Sequence, residues 1–88
     1  MDRYHAMRVF VRIAESGGFA EAARQLHMSP PAVTRALAAL EETIGTRLLT
    51  RTTRAVKLTE AGARYLDDCR RVLAAIEEAE AAAAGSYA

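Results

Sequence analysis

Four cations fall within eleven residues, Arg47, Arg51, Arg54 and Lys57, with no acid among them. Charge of one sign at that density suits a polyanion, because each cation that meets a phosphate releases a bound counterion. Thr52 and Thr53 lie between them and add hydroxyl donors of the kind that reach phosphate or sugar oxygens. Upstream, Ser29-Pro30-Pro31-Ala32-Val33-Thr34-Arg35 places one arginine a helical turn beyond a serine and two prolines. A guanidinium there could donate two parallel hydrogen bonds to an acceptor pair such as O6 and N7 of guanine. The plainer readings are a solvated basic loop paired with Glu41 and Glu42, and a solvated arginine on an ordinary helical bundle. Glu41 is placed to hold one of these arginines.

Other chemistry is poorly supplied. No nucleophile stands beside a base, no glycine loop is built to cradle a phosphate, and 88 residues leave little room for a pocket, so no enzyme is expected. His5 and His27 lack a Cys or His partner at ligand spacing, so no metal is expected, nor any other cofactor. A single cysteine, Cys69, excludes an internal disulfide and suits a reducing compartment. No signal peptide is visible, and no stretch approaches the roughly 20 apolar residues of a membrane helix. The expectation is a cytoplasmic protein with no membrane partner.

The totals alone would not suggest nucleic acid, since net charge is only +1. Distribution is more informative. From Arg24 to Lys57 six cations face two acids, whereas from Asp67 onward two arginines face five acids. The middle is basic and the tail acidic. Apolar residues make up 51 % of the chain, but 20 of them are alanine, so few large side chains must build the core. A domain of that size is marginal alone and gains from a partner.

The elements that position these groups follow from periodicity. Residues 2–16 read as a helix with two apolar stripes, Met7, Phe10, Val11 and Ala14 on one face and Ala6, Val9 and Ile13 on a neighbouring face. Two stripes imply two partners. Ser16-Gly17-Gly18 ends that helix. Residues 19–26 form a second, short helix burying Phe19, Ala22, Ala23 and Leu26. After the break at His27-Met28, Ser29 caps a third helix with Pro30 at its first position, where a missing N–H costs nothing. It runs to about Thr43, with Val33, Leu37, Leu40 and Ile44 inward and Gly45 as its stop. Pro30, Thr34, Arg35 and Ala38 are then outward. Residues 47–58 read as a small β-hairpin. Thr59 caps a last helix reaching about Ala84, and Gly62 at its third position removes the reciprocal capping box. Along it Tyr65, Cys69, Val72, Ile76, Ala79 and Ala83 recur as a heptad seam, which Leu66 and Leu73 widen.

Two helices joined by a three-residue turn match a helix-turn-helix, whose second helix enters the DNA major groove. The whole run from Met7 to Gly62 resembles the N-terminal domain of LysR-type transcriptional regulators. The resemblance is carried by Met7-Arg8-Val9-Phe10-Val11, Gly18-Phe19-Ala20-Glu21-Ala22-Ala23, Leu26 to Leu40, Glu41, Gly45, Leu48 to Arg54, and Leu58-Thr59-Glu60-Ala61-Gly62. It implies a mainly α fold, with a winged helix-turn-helix over 1–58 and a linker or dimerisation helix over 59–88. It implies sequence-specific binding of double-stranded DNA as a dimer on an interrupted palindrome, and hence a nucleoid-associated protein. Base reading falls on Ser29, Pro30, Pro31, Thr34 and Arg35. The wing residues Arg51, Thr52, Thr53 and Arg54 grip the backbone or minor groove. A small-molecule effector would be sensed only by a C-terminal domain that 88 residues cannot hold, which leaves a fragment or a truncated relative. A longer chain could form higher oligomers.

Three positions depart from the family pattern. Pro30 stands where glutamine is usual, replacing an adenine-pairing amide with an apolar contact surface. Thr34 replaces serine, and His27 stands where the turn commonly has glycine, which implies a left-handed backbone there. Beside the resemblance stand two rivals: a winged helix used for protein contacts without DNA, and a one-domain regulator that binds its ligand here. Arg35 and the acid-free wing weigh against the first, and a long alanine-rich helix without a cavity against the second. The seam predicts a homodimer in which long helices pair through Tyr65, Cys69, Val72, Ile76, Ala79 and Ala83. Val9 and Ile13 on the first helix are expected to meet the partner's long helix.

Overall fold

A computed structural model describes residues 1–52 and 55–85. Thr53 and Arg54, both expected at the DNA, lie outside the described residues. The elements are α1 (Arg3–Ser16), α2 (Phe19–Leu26), α3 (Pro30–Ile44), β1 (Leu49–Arg51), β2 (Val56–Leu58) and α4 (Glu60–Ala83). Mainly helical, with one antiparallel hairpin, it is a winged helix-turn-helix followed by a long helix.

Local chemistry sets the boundaries. The Asp2 carboxylate accepts from the His5 N–H at 3.1 Å and caps α1. Ser29 Oγ accepts from the Ala32 N–H at 3.2 Å and caps α3. Gly17 and Gly45 end α1 and α3 with φ of 82° and 85°. The same left-handed geometry falls at His27, with φ 57° and ψ 41°, where α2 must turn sharply into α3. A side chain there costs on the order of 1 kcal/mol, and a β-branched one more. His27→Gly is therefore expected to be neutral or slightly stabilising in chemical denaturation, and His27→Val to cost about 1–2 kcal/mol. Equal stability of the two variants would contradict the strain.

Phe10, Ile13, Val9, Val33, Leu40, Leu48, Leu49 and Cys69 form the fully buried centre. Helix α1 is the hub, packed against α2, α3 and α4. This corrects one expectation. Ala6, Val9 and Ile13 are as buried as Phe10, covered within a single chain, so Val9 and Ile13 are not surfaces for a partner. The two stripes of α1 do have two sets of partners, but α4 folds back along α1 and serves as one of them. Leu66 and Cys69 are buried there, Leu73 packs at the edge, and the Tyr65 and Phe10 rings lie 5.6 Å apart. Cys69 accordingly leaves the dimer seam. Burial also pushes its thiol pKa up, which keeps the sulfur protonated and unreactive. Burial likewise pushes the Tyr65 hydroxyl up to about 12.

A second correction concerns Ile44, which is 41 % exposed. The apolar spacing of α3 continues into its last turn, but the cover does not: residues 42–47 are all exposed.

Candidate nucleic-acid interface

The start of α3 is built as a side-chain surface. Pro30 and Pro31 occupy its first two positions and have no N–H, and the next, Ala32, donates to Ser29. The usual anion-binding backbone donors of a helix N-terminus are thus missing or used. Whatever docks here meets proline rings, the Ser29 hydroxyl and the side chains one turn on. Ser29, Pro30, Pro31, Arg35 and Ala38 are exposed and Thr34 is half-buried, which matches their outward assignment.

The hairpin is fixed to the body at its base. Glu41, on α3, accepts from the N–H groups of Leu48 at 2.7 Å and Leu49 at 3.2 Å, and Arg47 Nε lies 3.7 Å from its other oxygen. A carboxylate accepting two backbone bonds holds the strand start more firmly than one ion pair would. The expectation that Glu41 restrains an arginine is met by Arg47, though the backbone contacts are closer. From the other side, Thr59 donates its N–H to the Leu48 carbonyl at 3.0 Å and its hydroxyl to the Arg47 carbonyl at 2.8 Å. The same hydroxyl accepts from the Gly62 N–H at 2.9 Å, so one threonine caps α4 and anchors β1. Sequence reasoning found the cap but not the anchor, because nothing in local spacing points to residues twelve positions upstream.

In the hairpin itself, Leu49 pairs with Leu58, Thr50 with Lys57 and Arg51 with Val56. Thr52 closes the tip, its N–H donating to the Ala55 carbonyl at 2.9 Å and its hydroxyl accepting from the Ala55 N–H at 3.0 Å. Alternation along β1 puts Arg51 on the same side as buried Leu49, facing the body. Its guanidinium lies over the Phe19 ring, 4.4 Å from the centroid. A shallow groove runs between α3 and the wing, lined by Ala38, Glu41, Glu42, Gly45, Thr46, Arg47 and Arg51. It joins the outward face of α3 to the basic strand. Arg35, Arg51 and Lys57 form no ion pair with a described residue, whereas Arg24 is paired with Glu21. Of these three only Arg51 lines the groove, where Glu41 holds Arg47, so among the described residues Arg51 is the cation there left free of an ion pair to meet a phosphate.

Among the described residues no His, Cys, Asp and Glu cluster could hold a metal ion, and no helix is long and apolar enough to cross a membrane. On α4, Tyr65 and Ile76 are half-buried, and Val72, Ala79 and Ala83 are exposed. That leaves a free apolar edge on the second half of the helix only.

Residues 4–63 match the model of the bacterial regulatory helix-turn-helix proteins of the lysR family. The chain is 48 % identical over 71 residues to the HTH-type transcriptional regulator TfdT of Cupriavidus pinatubonensis, covering 81 % of this chain and 31 % of that protein. It is 41 % identical over all 88 residues to the HTH-type transcriptional repressor PA14_22550 of Pseudomonas aeruginosa, covering 28 % of it. The chain thus spans about a quarter to a third of the length of these curated relatives. Its fold superposes on the DNA-binding domain in the CbnR_DBD–DNA complex with a TM-score of 0.85 and 38 % identity, covering 99 % of this chain and all of that one. For the BenM_DBD complex with catB site 1 DNA the TM-score is 0.89 at 29 % identity, over 94 % and 92 % of the two chains.

Proposed function

Since the chain belongs to the lysR family of bacterial regulatory helix-turn-helix proteins, we propose that it reads double-stranded DNA in sequence-specific fashion for transcription regulation. Helix α3 enters the major groove by its N-terminal end, and the wing rests on the backbone or minor groove. The observation that carries this reading is the groove joining the exposed face of α3 to the uncompensated Arg51. The similar domains of CbnR and BenM, whose structures are of DNA complexes, support it. Residues 1–58 form the reading unit and α4 the element that pairs two copies on an interrupted palindrome. Effector sensing is assigned to a separate C-terminal domain rather than to these residues.

On the major-groove side the proposal divides the labour. Arg35 is the long donor and reads guanine. Pro30, where the family more often has an amide, and the Thr34 methyl give apolar contacts of the sort that distinguish thymine by its C5 methyl. Ser29 keeps its hydroxyl proton for a phosphate oxygen while its lone pair caps the helix.

Selection from random duplexes followed by titration of the winner tests this. Arg35→Ala is expected to weaken the selected duplex by about 1–3 kcal/mol and a random duplex by clearly less. Equal losses on both would reduce Arg35 to a phosphate contact. Salt-independent binding would remove the phosphate contacts, and no binding to any duplex at low salt would remove DNA as the partner and favour a protein-contact role.

A further inference from the structure

Arg51 and Phe19 are 32 positions apart in the chain, on the wing and at the first residue of α2, and the fold stacks one on the other. Phe19 is half-buried, anchored on the core beside buried Ala22 and Ala23. The guanidinium above it has no carboxylate partner among the described residues. The choice of partner matters chemically. A carboxylate would hold Arg51 but neutralise the charge that a phosphate needs. An aromatic face holds the cation through its quadrupole and leaves both the charge and the in-plane N–H groups available. Arginine stacked in this way is restrained before it binds, so less side-chain freedom is lost on contact.

We propose that Phe19 is a positioning residue for DNA binding: its ring sets the Arg51 guanidinium in the orientation that meets the phosphate backbone. The inference rests on the DNA-binding reading above and adds to it a residue that touches no DNA itself. It also makes the contact specific to arginine. Lysine at position 51 keeps the charge but presents no planar group to stack.

A double-mutant cycle tests the coupling, using the full 88-residue chain, a selected duplex and a random duplex of equal length. Phe19→Leu keeps apolar volume and loses the ring. It is expected to weaken both duplexes about threefold, the size of a partly exposed cation–π contact. Phe19→Tyr restores binding. In an Arg51→Ala background Phe19→Leu has little further effect. In the free protein, ring current shifts the Arg51 side-chain protons upfield, and Phe19→Leu abolishes that shift. Circular dichroism at the binding temperature checks that each variant is folded. Losses that simply add across the cycle, or an Arg51 spectrum unchanged by Phe19→Leu, overturn the positioning role while leaving DNA binding in place. An unmodified chain that binds neither duplex overturns the positioning role together with the reading beneath it.

Discussion

Replacing Gly62 by alanine is expected to lower the melting temperature by roughly 12–20 °C, although Gly→Ala at an exposed helix position ordinarily stabilises by about 1 kcal/mol. The reason is the closeness of Leu48, the residue just ahead of β1. A Cβ on Gly62 would lie 2.0 Å from the Leu48 carbonyl oxygen, 2.9 Å from its carbon and 3.2 Å from its Cα. All three are backbone atoms, so no flexible side chain can yield. Relief requires α4 to move away from Leu48, but its N-cap Thr59 is bonded to that same carbonyl and Leu66, one turn beyond Gly62, is buried in the core. Overpacking against rigid neighbours costs about 3 kcal/mol or more. For a domain whose total stability is of the order of 5–15 kcal/mol, that is a large share. The lost contact is also the root of the wing, so DNA affinity is expected to fall even where the chain remains folded. A thermal melt of Gly62→Ala at or above that of the unmodified chain would show that strand and helix are not so closely joined.

This glycine illustrates where sequence reading stopped. Within its own helix Gly62 registers only as the residue that spoils a capping box. Its purpose lies fourteen positions upstream in the Leu48 backbone, which no periodicity reveals. The same holds for Phe19, whose spacing with Ala22, Ala23 and Leu26 correctly marks it as packed, yet whose exposed face serves Arg51. Local signals fared better. Ser29-Pro30-Pro31 and Gly45 bound α3 because capping and proline chemistry act over three or four residues. The outward set Pro30, Arg35 and Ala38 followed from helical period alone. The long-helix seam was half legible. A heptad pattern says that an edge is apolar but does not say who covers it. Here the first half is covered by the chain's own α1, which claims Cys69, while Val72 and Ile76 remain further along. The burial of Val9 and Ile13 follows from the same packing.

The remaining edge leads to the largest expected effect on binding. Val72 is 44 % exposed, Ile76 lies one turn on, and Ala79 and Ala83 continue the line with side chains small enough for close helix approach. We propose that two copies pair along this edge. Val72→Glu with Ile76→Glu should then separate them. Neither side chain belongs to the buried core, and glutamate is a good helix former, so each subunit keeps its fold. Glutamate is preferred to lysine because the tail already carries Glu77, Glu78 and Glu80: added acids repel a partner's tail, whereas lysines could bridge to it. With one subunit bound, the second half-site is engaged at high effective concentration. Loss of pairing is therefore expected to weaken binding to a palindrome by roughly a hundredfold or more and to leave single half-site affinity nearly unchanged. Sedimentation velocity and a paired titration on palindrome and half-site read the two effects separately. An unmodified chain that sediments as a monomer at tens of micromolar, or a double variant that stays dimeric, would move the pairing surface elsewhere.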